Sequence, residues 1–210
     1  MLIKICGITN REDALLAVDA GAGALGFNFW RPSRRFIEPA DARVIIDQLP
    51  ANVLTVGVFV NEASPEIVQK IAAQAGVAAM QLHGDESPEY CAALVKHYVI
   101  KALAVGNDFE PEQAVKYNVR AIMLDAFDKK NRGGTGRQID WSVARRTREL
   151  LPRLFLAGGL SPENIAEAIA AVDPYAVDAC SALESTVGKK DPERVRSFIR
   201  KALAATSNKE

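Results

Sequence analysis

The chain alternates between short β-rich runs and helix-length segments eight times, with no break in the rhythm. The runs are Ile3 to Cys6, Ala24 to Phe29, Leu54 to Val60, Ala78 to Leu82, Val99 to Ala102, Ala121 to Asp125, Leu154 to Ala157 and Ala176 to Asp178. Strands that alternate with helices over short connections imply a parallel sheet with right-handed crossovers. Eight units favour closure into a barrel over a doubly wound sheet, which usually stops nearer six strands. At 210 residues the chain is shorter than the roughly 250 typical of such barrels. The expected fold is therefore α/β, a compact (β/α)8 TIM barrel in a single domain over residues 1–210, with 204–210 frayed where apolar periodicity lapses.

A repeated stamp supports the helix assignments: Ser64-Pro65-Glu66, Ser87-Pro88-Glu89, Glu110-Pro111-Glu112, Ser161-Pro162-Glu163 and Asp191-Pro192-Glu193. Proline is preorganised for the first helical turn, Ser or Asp caps open amides, and glutamate there complements the helix dipole. Thr9 to Glu12 has the spacing of a capping box and predicts another start. Gly21-Ala22-Gly23-Ala24-Leu25-Gly26 matches a dinucleotide fingerprint, but a helix precedes it and a strand follows. That order is reversed from the one that brings helix amides to a pyrophosphate, so these glycines read as a helix C-cap and turn.

Lysine plus arginine equal aspartate plus glutamate at 26 each. This removes the general attraction on which nucleic-acid and membrane-surface binding rest, so neither partner is expected. The three cysteines, Cys6, Cys91 and Cys180, have no paired spacing, and no leader-like segment precedes the first strand. Free thiols and a cytoplasmic location are expected. Oligomeric state, monomer or homodimer, stays open.

Polar residues and glycines gather where the runs end, and in a barrel these ends share the rim that carries chemistry. Gly158-Gly159 leads into Ser161-Pro162, and the next run ends Asp178-Ala179-Cys180-Ser181. Loops after the seventh and eighth strands form the usual phosphate cradle, and two glycines let amides approach an anion. Arg31, Arg34 and Arg35 crowd the second loop; a guanidinium fork suits a carboxylate, and about one of the three should reach the site. The glycine-rich stretch 126–139 is long enough to be a lid.

Asp125 closes the sixth run just before that lid, where burial would suit it to general-acid work. Cys6 is either a base or nucleophile, or a small core residue, and a thiolate would need a nearby positive charge. Lys4, two residues away on the same strand face, is the candidate. His83 stands at a strand end, as a substrate contact or as a hydrogen-bonded structural residue. The only other histidine is His97, and neither has metal-ligand spacing, so no metal site is expected.

Lys4-Ile5-Cys6-Gly7-Ile8-Thr9, Ser33-Arg34-Arg35-Phe36-Ile37, Val58-Phe59-Val60-Asn61, Gln81-Leu82-His83-Gly84, Leu124-Asp125, Gly133-Gly134-Thr135-Gly136, Leu156-Ala157-Gly158-Gly159-Leu160 and Gly188-Lys189-Lys190-Asp191 together resemble the phosphoribosylanthranilate isomerase family from end to end and in order. The resemblance implies a cofactor-free Amadori rearrangement in tryptophan biosynthesis. It implies Asp125 as the acid that opens the ribose ring, Cys6 as the base at C2 and Arg35 on the anthranilate carboxylate. It also implies substrate contacts from His83 and Gly134, and phosphate binding by the backbone amides of Gly158 and Gly159 and of the loop from Asp178 through Cys180 to Ser181. One departure is Ala182, where the family usually has glycine; alanine would be strained if the position needs φ > 0. Two other readings remain. One is the related isomerase of histidine biosynthesis, whose pattern has aspartate in place of Cys6. The other is a non-catalytic phosphate-ligand-binding barrel.

Overall fold

The computed structural model describes residues 1–126 and 139–207. Eight parallel strands close on themselves: β1 (Leu2–Ile5), β2 (Ala24–Asn28), β3 (Leu54–Phe59), β4 (Ala79–Leu82), β5 (Tyr98–Val105), β6 (Ala121–Ala126), β7 (Leu154–Leu156) and β8 (Ala176–Ala179). Closure is made by β1 pairing with β2 on one side and β8 on the other, Lys4 lying opposite Asp178. The strands begin and end within a residue or so of the β-rich runs, apart from β5, which continues to Val105.

Around them run α1 (Arg11–Asp19), α2 (Pro39–Ile46), α3 (Pro65–Ala75), α4 (Pro88–Ala92), α5 (Glu112–Val115), α6 (Trp141–Leu150), α7 (Ile165–Val172) and α8 (Pro192–Ser207). The proline stamps start α3, α4 and α8 as expected. Three starts differ. At α5 the stamp's Pro111 is itself the cap and the helix begins at Glu112. At α1 the cap is Asn10 and not Thr9, because Asn10 accepts from the Asp13 amide while the Thr9 hydroxyl donates to the Gly188 carbonyl. At α7 the stamp forms a turn and the helix begins at Ile165, since Asn164 accepts from Ser161 N–H and donates to Gly159 O. The segment 204–207, expected to fray, continues α8. The reason is that α8 buries Val195, Phe198, Ile199 and Ala202, spaced i, i+3, i+4 and i+7, against its neighbours α1 and α7.

The core has two layers. A larger one lies between strands and helices, and a smaller one fills the barrel with Val56, Ala79, Ile100, Ala102, Met123, Phe155 and others. Side chains alternate across a strand, so the residue two positions further along faces the same way. Two positions beyond Leu2, Ala79, Met123 and Ala176 stand Lys4, Gln81, Asp125 and Asp178. The apolar plug therefore becomes the floor of a polar site at the carboxyl rim.

Candidate active site

Two groups of side chains rise from that floor. The first is centred on β1. Lys4 is fully buried and its ammonium donates to Asp178 Oδ1 at 2.8 Å. Burial acts to lower the Lys4 pKa, but the charges of Asp178 and Cys6 outweigh it and keep the ammonium protonated. Asp178 is pushed up to about 6, first by burial and then by the neighbouring anions, with Lys4 opposing. At neutral pH the two form an ion pair.

Cys6 follows β1 and its amide donates to Ala179 O at 2.9 Å, extending the β1–β8 register so that Cys180 comes alongside. Hydrogen bonding with Cys180 is the largest influence lowering the Cys6 pKa; burial works against it, and Lys4 and Lys190 add their attraction. Cys6 is held well below the ordinary thiol range, with Lys4 one of the groups that lower it. Cys180 moves the other way, raised by that same bond and by burial. Gly26 makes the room: a Cβ there would stand 2.7 Å from Cys6 Sγ and 3.0 Å from Lys4 Nζ.

The arginine loop resolves as its chemistry suggested. Arg31 pairs with exposed Glu38 and Arg34 lies on the surface, while Arg35 turns inward. Its Nε and one Nη donate to both oxygens of Glu184 at 2.8 and 2.7 Å. Fully buried Lys190 donates to Glu184 at 3.1 Å and to Cys180 O at 3.3 Å. Burial acts to raise the Glu184 carboxyl, but Arg35 and Lys190 win and hold it below the usual range.

Glu184 and Lys190 were absent from the sequence-based site, and a small hairpin brings them in. Strands β9 (Glu184–Thr186) and β10 (Lys189–Lys190) pair antiparallel, turning at Gly188. The hairpin is tied to α1 through Lys190 N–H donating to buried Asp13 at 2.7 Å. The motif Gly188-Lys189-Lys190-Asp191 was the available signal.

The second group lies across the rim. His83 Nε2 is 3.2 Å from Asp125 Oδ2, and Asp125 Oδ1 accepts from Ala126 N–H at 2.8 Å. Gln81 Nε2 is 2.8 Å from His83 Nδ1. The loop under His83 is braced by Lys101, whose ammonium donates at 2.7 Å to both Gly84 O and Glu86. Glu86 in turn accepts from the Asn61 and Gly84 amides.

Between the groups, Gly158 and Gly159 have φ of +84° and +69°. A Cβ on Gly158 would stand 2.8 Å from Ala126 N, so the position requires glycine. Ser181 opens a short 3-10 turn, Ser181–Leu183. Ala182 lies within that turn and is not among the positive-φ residues, so the strain expected there does not arise. The carboxylate of Asp178 is committed to Lys4 and faces the barrel axis side of the site, which leaves only its backbone for an anion. Gly134 and nearly all of the expected lid, from 127 to 138, lie outside the described residues.

The family model for N-(5'-phosphoribosyl)anthranilate isomerase matches residues 3–201. A relative of that name from Desulforudis audaxviator is 52% identical over 206 residues, covering 97% of this chain and 98% of its own length. The chain belongs to the phosphoribosylanthranilate isomerase family. The family's crystal structure from Thermotoga maritima superposes with a TM-score of 0.90 at 43% identity, covering 97% of this chain and 100% of that one. That from Thermus thermophilus gives 0.89 at 39%, covering 97% and 99%. A further isomerase structure, 43% identical with a TM-score of 0.87 and covering 97% and 100%, is in complex with reduced 1-(o-carboxyphenylamino)-1-deoxyribulose 5-phosphate. The (β/α)8 architecture expected from sequence is thus the family's own.

Proposed function

We propose that this site carries out the family's isomerisation, the Amadori rearrangement of N-(5-phosphoribosyl)anthranilate to 1-(2-carboxyphenylamino)-1-deoxyribulose 5-phosphate in tryptophan biosynthesis. The observation that carries it is the pairing of a thiol beside the fully buried Lys4 ammonium, held below its ordinary range by Cys180 first and by Lys4 and Lys190 in addition, with a carboxyl across the rim. Asp125 protonates the ribose ring oxygen, and the ring opens to a Schiff base. The Cys6 thiolate then removes the proton from C2, giving an enolamine that tautomerises to the ketone. No acyl group is transferred, so the thiolate has no call to act as a nucleophile.

The substrate has a phosphate at one end and a carboxylate at the other. Amides of Gly158, Gly159 and the loop through Cys180 and Ser181 suit the phosphate. Arg35 suits the anthranilate carboxylate, with Glu184 occupying two of its donors and orienting the rest. Fixing both ends holds the ribose between acid and base. His83 acts on Asp125 in this reading, in addition to any contact with substrate.

The related histidine-pathway isomerase and a non-catalytic barrel are disfavoured by the family match and by the presence of both Cys6 and Asp125. Three unpaired cysteines fit a reducing cytoplasm. The test uses purified protein and freshly made phosphoribosylanthranilate, with loss of substrate fluorescence as the readout. Wild type should consume the substrate, and Cys6→Ala and Asp125→Asn should each lose about 10² to 10⁴ in rate. Undiminished turnover in either variant would remove that residue from the mechanism.

A further inference from the structure

The amide of Gln81 has one end bonded and one end bare. The residue is 1% exposed, its Nε2 meets His83 Nδ1 at 2.8 Å, and its Oε1 is buried with no hydrogen-bond partner among the described residues. A buried acceptor without a partner ordinarily costs about 1–3 kcal/mol, so its retention needs a reason. An amide pinned at both ends could not turn, whereas one pinned only at His83 can.

The proton inventory of the dyad supplies the reason, resting on the reading of Asp125 as the acid. With Gln81 donating to Nδ1, that nitrogen carries no hydrogen and Nε2–H faces Asp125, so a dyad with Asp125 as carboxylate has no proton to give. To act as an acid the dyad must hold one proton more. The arrangement that bears on Gln81 places the extra proton between Oδ2 and Nε2, with Oδ1 accepting the Ala126 amide. It sits either on an imidazolium beside a carboxylate or on a carboxyl donating to bare Nε2. In both cases Nδ1 carries hydrogen and must now donate. The Gln81 amino group would then face another donor, and Oε1 is the acceptor that Nδ1–H needs.

We propose that Gln81 is a positioning residue for the acid: its amide turns over so that Oε1 accepts from His83 Nδ1–H whenever the His83–Asp125 dyad carries the catalytic proton. Turning exchanges which end of the amide is bare, so the bond to a charged or polarised imidazole decides the orientation. Other charges near the dyad are already matched: Lys101 with Glu86 beside Gly84, and Asp178 with Lys4 on the far side of Asp125. The neutral amide of Gln81 is the partner left to follow the proton.

The chain has two histidines, and exposed His97 can be replaced by Gln to leave His83 as the single imidazole in a nitrogen-15 NMR spectrum. On acidification Nδ1 should change from acceptor to N–H in step with the acid limb of kcat. Gln81→Met, which cannot accept, should move both to lower pH and reduce kcat about ten-fold with KM changed less than about two-fold. Gln81→Glu, which can only accept, should move both to higher pH and restore most of the kcat. Should the charged variant fail to fold, the wild-type and Gln81→Met titrations decide alone. Nδ1 titrating identically in wild type and Gln81→Met overturns the proposal, as does equal loss of kcat in both variants with no pH displacement. Asp125→Asn is measured alongside: full activity there would sink the acid assignment itself, whereas an inactive Asp125→Asn with an unresponsive Nδ1 sinks only the role of Gln81.

Discussion

The two sides of the rim are built on opposite plans. On the β8–β1 side every charge is committed: Lys4 to Asp178, Arg35 and Lys190 to Glu184. Three cations face two carboxylates there, and a thiolate at Cys6 would bring the sum to zero. On the β4–β6 side, above the Lys101–Glu86 pair, stand one imidazole, one carboxyl and a neutral amide with a bare oxygen. On the mechanism proposed for this site, the difference follows from the chemistry asked of each. A base at carbon needs a lasting charge, which fixed counter-charges supply; an acid must release and recover a proton, which calls for a partner able to change its hydrogen bond.

The comparison breaks most visibly at Lys4. Lys4→Met leaves the Asp178 carboxyl buried without its partner and should cost about 3–5 kcal/mol of stability, read from denaturant unfolding. Lys4→Met with Asp178→Leu should recover most of that loss without restoring the thiolate, because the lost charge also served Cys6. A double variant whose Cys6 titrates as in wild type would show that the counter-charge plan is wrong on this side.

Glu184→Gln should come next. The guanidinium of Arg35 loses charge-assisted bonds worth about 1.5–3 kcal/mol and with them its orientation. KM should rise by about ten-fold or more, with kcat less affected. An unchanged KM would mean that Arg35 reaches substrate unaided. Gly158→Ala, at φ +84° and facing Ala126 N, should destabilise by about 1–2 kcal/mol and raise KM through the displaced amide. Equal KM for the two proteins would take Gly158 out of the anion site.

The smallest effect is also the most specific to the base side. A thiol is alkylated as thiolate, so reactivity appears above its folded-state pKa. Cys6, lowered, should react with iodoacetamide at neutral pH and lose that reactivity only on acidification. Cys91 is buried and pushed up to about 11, chiefly by burial, and should resist until strongly alkaline pH. Peptide mapping of the alkylated protein distinguishes them, and equal labelling at neutral pH would contradict the assignment.

Much of this was legible in the chain because a barrel converts sequence rhythm into position. Once eight strands are counted, Cys6, His83, Asp125, Gly158 and Asp178 fall on one rim, and Lys4 falls beside Cys6 by strand alternation alone. The counter-charges were not legible in the same way. Arg35 and Glu184 are 149 residues apart, and nothing local to either says that they meet. Nothing in Gly188-Lys189-Lys190-Asp191 says which lysine turns inward, and Lys190 is buried because the hairpin folds onto Asp13. Asp178 was grouped with the phosphate loop for its backbone, and nothing local to it says that strand pairing brings its carboxylate to Lys4. Local preference also yielded to tertiary contacts at Thr9, whose hydroxyl goes to Gly188 and leaves the cap to Asn10.

The central claim is that the Cys6 thiolate removes the proton from C2 of the substrate. Single-turnover loss of substrate fluorescence with ordinary and C2-deuterated phosphoribosylanthranilate, in wild type and in Cys6→Ser, tests it most directly. The account predicts that Cys6→Ser is slower by about 10² or more and that deuterium slows it further, since carbon deprotonation has become the limiting step. Turnover in Cys6→Ser at the wild-type rate, or a slower rate indifferent to deuterium, would contradict it.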